Sequence, residues 1–192
     1  MAEVRPIIPA AVAYTRTAIA LHWLAVVLIA SGFALGTWMV DLPIAPQTLR
    51  VYAYHKWIGI TVLLVTLARL AWRSAHPVLP AAGLPMWQRR AAVVSHVALY
   101  ALMIAIPVSG WLFSSASGVQ VVYLGLVALP NLVAKDDALA AVLKSVHYTL
   151  NFALLVLVLV HAGAALRHHF VQRDSVLARM LLPHSTRHPE PP

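Results

Sequence analysis

The 192-residue chain contains no cysteine. This absence excludes disulfides, thiolate metal sites, iron–sulfur clusters and the covalent attachment of a c-type haem. A catalytic carboxylate pair or a buried carboxylate proton relay is also poorly supported, because acidic residues are few and none lies inside an apolar run. The acidic residues are Glu3, Asp41, Asp136, Asp137, Asp174 and Glu190. Ten histidines remain as the strong metal ligands.

Charge is scarce altogether, since 10% of the residues are charged whereas 61% are hydrophobic and the mean hydropathy is +0.79. These values lie outside the range of soluble globular domains and predict a polytopic membrane protein. A net charge of +8 would also suit a nucleic-acid-binding protein, but the basic residues form no patch with interleaved aromatics. The pattern argues against nucleic acid as a partner and for the lipid bilayer.

Four apolar runs are long enough to cross a membrane as helices, so the sequence predicts an all-α integral membrane protein with a four-helix transmembrane bundle. The first run is too long for a signal peptide and we expect it to be retained. Between the third and fourth runs, Gly125 and Pro130 interrupt an apolar stretch at 119–134, which favours an interfacial helix or a re-entrant segment. Pro107 is expected to kink or end the third helix. The runs cover about residues 17–40, 52–73, 91–113 and 145–167.

The basic residues are distributed unequally between the two sides of the predicted bundle. The side that holds both termini and the loop after the second run carries ten of the Lys and Arg residues, against four on the other side. Positive-inside asymmetry therefore predicts cytoplasmic N- and C-termini. We expect residues 1–16 to form a cytoplasmic N-terminal segment and 17–183 the membrane domain, which ends in a helical extension. Residues 184–192 are expected to be a disordered tail.

Two histidines of the fourth run, His147 and His161, are fourteen residues apart. At ~100° and ~1.5 Å per residue they share one helix face, at depths that differ by about 21 Å. His22 in the first run has the predicted depth of His161, and His55 in the second run has that of His147. An imidazole inside a membrane is costly unless something binds it. Two matched pairs without thiols suit bis-imidazole coordination of two b-type haems.

Other interpretations of these histidines are a proton relay or structural polar contacts. Zinc transport fits less well, because the spans lack the carboxylates that it would use, and an ion or metabolite carrier would need more polar residues along the spans. His96 lies near the predicted level of His22 and His161, where it could replace one of them as a ligand, bind a haem propionate or line a quinone pocket. His168 shares the helix face of His161, but its basic neighbours favour an interfacial position.

Several segments together resemble the bacterial di-haem cytochrome b561 family: YTRTAIALHWL, YHKWIGITVLLVTLARLAWR, HVALYALMIAIPVSGW, LKSVHYTL and HAGAALRHHFVQRDSVLARMLLP. The resemblance extends from about residue 14 to residue 183. It implies a cytochrome b561-type four-helix haem domain at 17–183 that binds two haem b groups non-covalently and transfers electrons between a periplasmic donor and the quinone pool. It also implies that His22 and His161 hold the cytoplasmic-side haem iron, and His55 and His147 the periplasmic-side one.

One branch of this family is similar to superoxide oxidase, which transfers electrons from periplasmic superoxide to ubiquinone. Because superoxide is an anion, this hypothesis requires a cationic approach to the periplasmic haem. Lys56 beside His55 and Lys144 three residues before His147 are the candidates, with Arg50 as a further cation. An equal alternative is that these are ordinary interfacial side chains.

The quinone is expected near the cytoplasmic haem, where His96, His168 and Arg16 could provide hydrogen bonds. The rival hypothesis is a non-catalytic membrane-anchor or electron-transfer subunit that serves a separate dehydrogenase or a periplasmic redox partner.

Overall fold

A computed structural model describes residues 14–43, 45–77, 85–174 and 177–181, and its four long helices are apolar enough to cross a membrane. This architecture is the predicted one. A two-stranded β-hairpin lies between the third and fourth helices, and a short helix follows the fourth. The elements are α1 (Arg16–Met39), α2 (Pro46–Ala75), α3 (Met86–Ala116), β1 (Val122–Tyr123), β2 (Val127–Ala128), α4 (Asp137–Arg167) and α5 (Ala178–Leu181).

The helices start at capping and proline residues, not at the limits of the apolar runs. The hydroxyl of Thr15 accepts the backbone N–H of Ala18 at 3.2 Å before α1, and Asp136 accepts two first-turn N–H groups at 2.9 and 3.0 Å before α4. Pro46 opens α2, where its missing N–H would have had no helical partner. As a result α2, α3 and α4 begin at residues 46, 86 and 137, earlier than the apolar runs.

Of the two outcomes expected at Pro107, a kink or an end of the helix, the second does not occur, because α3 continues to Ala116. An interior proline removes one backbone hydrogen bond, but Pro107 is buried in the bundle. The hydroxyl of Ser109 donates to the Ile106 carbonyl at 2.8 Å in the same turn. Packing of α3 against α2 and α4 therefore retains the helix through the proline.

All four helices contribute to one apolar core in the middle of the bundle. Leu154 of α4 belongs to this core and lies halfway along the chain between His147 and His161. Thr66 of α2 is also fully buried, and its hydroxyl donates to the Val62 carbonyl at 2.7 Å. The only polar group of this side chain is therefore paired. The core consists of Ala25, Val62, Val65, Met103, Ile106 and Leu154. It separates two layers of polar side chains.

The prediction of an interfacial helix at 119–134 is also wrong, since this connection contains the β-hairpin. Leu124 and Gly125 have φ values of 54° and 73°, a left-handed conformation that hairpin turns adopt and helices exclude. The indole N–H of Trp57 donates to the Val122 carbonyl at 2.7 Å and fixes the hairpin against α2. The register pairs Val122 with Ala128 and Tyr123 with Val127.

The predicted helical extension after the fourth span is interrupted. A π-helical turn at His168–Gln172 continues α4, and Arg173, with φ at 52°, then ends the helix. The short α5 contacts α1, where the indole of Trp23 donates to the Met180 carbonyl at 2.9 Å. The predicted tail at 184–192 and most of the predicted N-terminal segment lie outside the described residues.

Candidate functional site

At one end of the bundle, His55 of α2 faces His147 of α4, with ring centroids 6.4 Å apart and planes at 85°. Each ring lies against a glycine of a neighbouring helix. A Cβ built on Gly36 of α1 would be 3.0 Å from Cε1 of His55, and one on Gly110 of α3 would be 3.0 Å from Cε1 of His147. These four residues form what we call the two-histidine layer. A side chain at either glycine would require the imidazole to shift by a few tenths of an ångström.

Backbone contacts orient the imidazoles of this layer. Nδ1 of His147 lies 3.1 Å from the Ile106 carbonyl oxygen and 3.0 Å from the Ser109 hydroxyl. Because a carbonyl can only accept, Nδ1–H donates to it, and the neutral ring keeps its Nε2 lone pair for a metal. Nδ1 of His55 is buried without a hydrogen-bond partner of good geometry among the described residues, and the backbone of Gly32 lies close to it.

At the other end of the bundle, the rings of His22 from α1 and His161 from α4 also have centroids 6.4 Å apart, with planes at 65°. His96 of α3 lies 5.5 Å from His161 between centroids. Arg69 of α2 completes the group, since its Nη1 lies 3.0 Å from Nδ1 of His22. We call these four residues the three-histidine layer.

A spacing of fourteen residues connects the two layers in every helix. The α1–α2 pair therefore repeats the residue pattern of the α3–α4 pair: the first helix carries a histidine and then a glycine, and the second carries two layer residues. Arg69 of α2 has the position that His161 has in α4. In the sequence, this spacing stands out only in the fourth run, where both residues are histidines. The same spacing in the other three helices identifies the two glycines and the arginine that sequence reasoning missed. The spaced pairs are His22 and Gly36, His55 and Arg69, His96 and Gly110, and His147 and His161.

The separation of 6.4 Å in both pairs is what one metal ion between two imidazoles requires. A metal–imidazole bond is about 2 Å long and the ring centre lies ~1 Å beyond the nitrogen, so rings on opposite sides of one metal have centroids about 6 Å apart. The 5.5 Å between His96 and His161 is shorter. Two imidazoles supply two ligands, so each pair suits a metal whose remaining ligands come from a cofactor, as in haem.

The predicted cations at the end of the two-histidine layer have different environments. Lys56 is half-buried, and its ammonium donates to the Ser114 hydroxyl at 2.7 Å. Ser114 in turn donates to the Val119 carbonyl at 2.6 Å, at the start of the segment that carries the hairpin. Lys144 and Arg50 are exposed. Lys56 is therefore the cation that the fold holds next to this layer.

The three predicted quinone residues have different surroundings. His96 contacts the ring of His161, whereas Nδ1 of His168 contacts a carboxylate oxygen of Asp174. Arg16 is exposed at the first residue of α1. Sequence reasoning also missed a cavity of about 240 Å³ at this end of the bundle. Its lining includes Tyr14, Thr15, Arg69, Trp72, Arg73 and Tyr100.

Several known proteins are similar to this chain over most of its length. A family model described as prokaryotic cytochrome b561 matches residues 13–183. The chain is 36% identical over 172 residues to cytochrome b561 homolog 2 of Escherichia coli K12, covering 84% of this chain and 87% of that protein. It is 30% identical over 172 residues to cytochrome b561 homolog 1 of the same organism, with 88% and 96% covered. A probable superoxide oxidase CybB of Yersinia pestis is 28% identical over 172 residues, with 88% and 95% covered.

Proposed function

The chain belongs to the prokaryotic cytochrome b561 family, and we propose that it holds two haem b groups. As a multi-pass cytochrome b of the bacterial inner membrane with a role in electron transfer, it would carry electrons from a periplasmic donor to the quinone pool. His22 and His161 would hold one haem and His55 and His147 the other. The observation that supports this most directly is the equal 6.4 Å separation of the two pairs at the two ends of one bundle.

When bound, haem b supplies an iron centre that accepts and releases one electron at a time. The chain contributes the geometry around it. The Ile106 carbonyl fixes the tautomer of His147 and leaves Nε2 free, and Gly36 and Gly110 leave room for the imidazoles. Since α4 contributes to both layers, its rise of about 21 Å over fourteen residues sets their separation along the bundle.

The proposed orientation places the three-histidine layer, both termini and the segment at 1–16 on the cytoplasmic side. Because the chain lacks cysteine, a single introduced cysteine reports its own location. Gln47 in the first turn of α2 and Ser74 in its last turn are both exposed. With a membrane-impermeant maleimide, we expect Gln47→Cys to react in intact spheroplasts and Ser74→Cys to react only after permeabilisation. The reverse pattern would contradict the orientation, and the cysteine-free parent is the control.

The finer proposal is that the periplasmic donor is superoxide, which makes the protein a superoxide:quinone oxidoreductase. Two superoxide anions each lose one electron and leave as dioxygen, and one ubiquinone takes up two electrons and two protons to become the quinol. The relative named as a probable superoxide oxidase supports this donor. The ammonium of Lys56, held half-buried beside His55, supplies the positive field that an anion needs, with Lys144 as an outer cation.

The quinone is proposed to dock in the three-histidine layer. His96 is the residue that this layer offers as a hydrogen-bonding group beside the paired imidazoles. Arg16 follows Thr15, which lines the nearby cavity, so both belong to the same end of the bundle. His168, paired with Asp174, is the third of the proposed quinone residues.

The test is to mix the oxidised, haem-loaded protein with superoxide and a short-chain ubiquinone analogue while the haem absorbance is followed. We expect haem reduction that outruns spontaneous dismutation, followed by quinol formation. If superoxide leaves the haem bands unchanged, the donor assignment fails and the rival stands, namely an electron-transfer subunit for a separate dehydrogenase or periplasmic redox partner.

Removal of the Lys56 charge should slow the reaction with superoxide. At low ionic strength we expect Lys56→Gln to lower the bimolecular rate constant of haem reduction by about 3- to 10-fold, because the attraction of the anion is lost. Lys144→Gln should have a smaller effect, since exposed charges are screened by salt. Arg89→Gln, which removes an equal charge from an exposed position at the opposite end, is the matched control. An unchanged rate constant in Lys56→Gln with both haems bound would exclude this role.

A further inference from the structure

Arg69 is the unusual member of the three-histidine layer. In the repeated arrangement of the helices it stands where the second helix pair has His161, so this layer has three imidazoles and one guanidinium. An arginine inside a membrane span is costly and marks a functional position by default. The part of the chain that the structure describes shows no carboxylate within salt-bridge distance of Arg69. Its positive charge is therefore not neutralised by an ion pair there.

The contacts of Arg69 direct its charge towards one histidine. Its Nη1 lies 3.0 Å from Nδ1 of His22, and its guanidinium carbon lies 5.8 Å from the centre of the Tyr100 ring, over its face. Because a guanidinium can only donate, Nδ1 of His22 accepts in this contact, and the neutral ring carries its proton on Nε2. Binding of a metal at Nε2 moves the ring proton to Nδ1 and ends this hydrogen bond, so Arg69 then acts on His22 through its charge alone. The stacking on Tyr100 and the hydrogen bond together hold the side chain in place.

The two layers consequently differ in what lies behind their histidines. In the two-histidine layer Nδ1–H of His147 donates to the Ile106 carbonyl at 3.1 Å, and such a partner makes an imidazole a stronger electron donor to its metal. In the three-histidine layer a cation occupies the equivalent side of His22, which makes that imidazole a weaker donor. A fixed positive charge near a redox centre also stabilises the added electron. Both effects raise the reduction potential of a haem in the three-histidine layer relative to that of a haem in the two-histidine layer.

We propose that Arg69 is a positioning residue that sets the direction of electron transfer, because its charge raises the reduction potential of the haem bound between His22 and His161 above that of the other haem. This inference rests on the proposed haem assignment. In the proposed orientation, this difference in reduction potential makes electron transfer towards the cytoplasm favourable. The inside-negative membrane potential opposes the same movement. Arg69 thereby offsets part of the work of moving an electron against the membrane potential.

The test measures the midpoint potential of one haem at a time. A His147→Ala background retains the haem of the three-histidine layer, and Arg69→Met in that background removes the charge and the donor together. We expect the equilibrium constant for reduction of that haem to fall by about tenfold, which for one electron is ~59 mV. Arg69→Lys, which keeps the charge, should restore it to within about threefold of the parent and still alter the electron paramagnetic resonance spectrum, since lysine loses the planar donor.

Two further variants complete the experiment. Arg73→Met removes an exposed arginine one turn along α2 and should shift the same equilibrium by less than about threefold, because solvent screens its charge. If Arg69→Met destabilises the fold, Arg69→Gln takes its place, because it also removes the charge but keeps a hydrogen-bond donor. The role of Arg69 is overturned if either charge-removing variant, with its haem bound, leaves the potential unchanged. A parent protein with one haem per chain, or a His22→Ala variant that retains two, would instead overturn the haem assignment.

Discussion

Replacement of His147 or His161 by alanine is expected to leave about one haem per chain where the parent binds about two, and the double variant should bind none. Each substitution removes one proposed axial ligand from one layer, and the apolar core around Leu154 separates that layer from the other. The measurement is the haem-to-protein ratio of the purified variants, with the reduced absorbance band showing which haem is lost. The two single variants should lose different bands.

His169→Ala is the matched control for these substitutions, because His169 is exposed beyond the end of α4 and should leave both haems in place. His96→Ala should also retain two haems, since the 5.5 Å between His96 and His161 is short for two rings on opposite sides of one iron. If both His147→Ala and His161→Ala kept two haems, the pairing would be wrong, and His96 or His168 would return as axial candidates.

The second large effect is expected at the glycines of the two-histidine layer. A Cβ on Gly110 would lie 3.0 Å from the His147 ring and one on Gly36 would lie 3.0 Å from the His55 ring, so each imidazole must shift to admit a side chain. Overpacking of this kind costs about 1–3 kcal/mol, which corresponds to roughly 5- to 150-fold in an equilibrium constant. We expect Gly110→Ala to weaken haem retention in this layer, and Gly110→Val to weaken it more.

The glycine prediction has internal controls. A Cβ on Gly59 of α2 or Gly163 of α4 meets no atom within 4 Å, so Gly59→Val and Gly163→Val test the loss of a helical glycine without the collision. We expect these variants to bind two haems. The measurement is the fraction of each haem retained during titration with apomyoglobin as a haem acceptor. Equal losses in the Gly110 and Gly163 variants, or loss of the haem of the other layer, would contradict the proposed role of Gly36 and Gly110 beside the imidazoles.

Much of this site follows from local features of the sequence. Hydropathy over about twenty residues identifies a span without knowledge of its neighbours, and the helical repeat places His147 and His161 on one face. The depths of His22 and His55 follow from their distances to the ends of their runs. The structure brings each of them to the predicted partner ring. Whether these rings hold haem iron is the question that the alanine variants answer.

Other features depend on contacts between segments that are far apart in the chain. The hairpin at the α3–α4 connection is held by a hydrogen bond from Trp57 to Val122, 65 residues away, so the apolar composition of 119–134 alone did not distinguish it from a helix. The continuation of α3 through Pro107 likewise depends on packing, which outweighs the intrinsic cost of an interior proline.

By itself, then, the sequence determined the membrane class, the four spans, the absence of thiolate chemistry and the two depths at which histidines occur, because each of these depends on composition or on the period of one helix. Only the tertiary structure decided that Gly36 and Gly110 face the rings of His55 and His147 and that Arg69 lies behind His22. These contacts depend on how each helix is rotated about its own axis against its neighbours, and that rotation results from the packing of all four helices together.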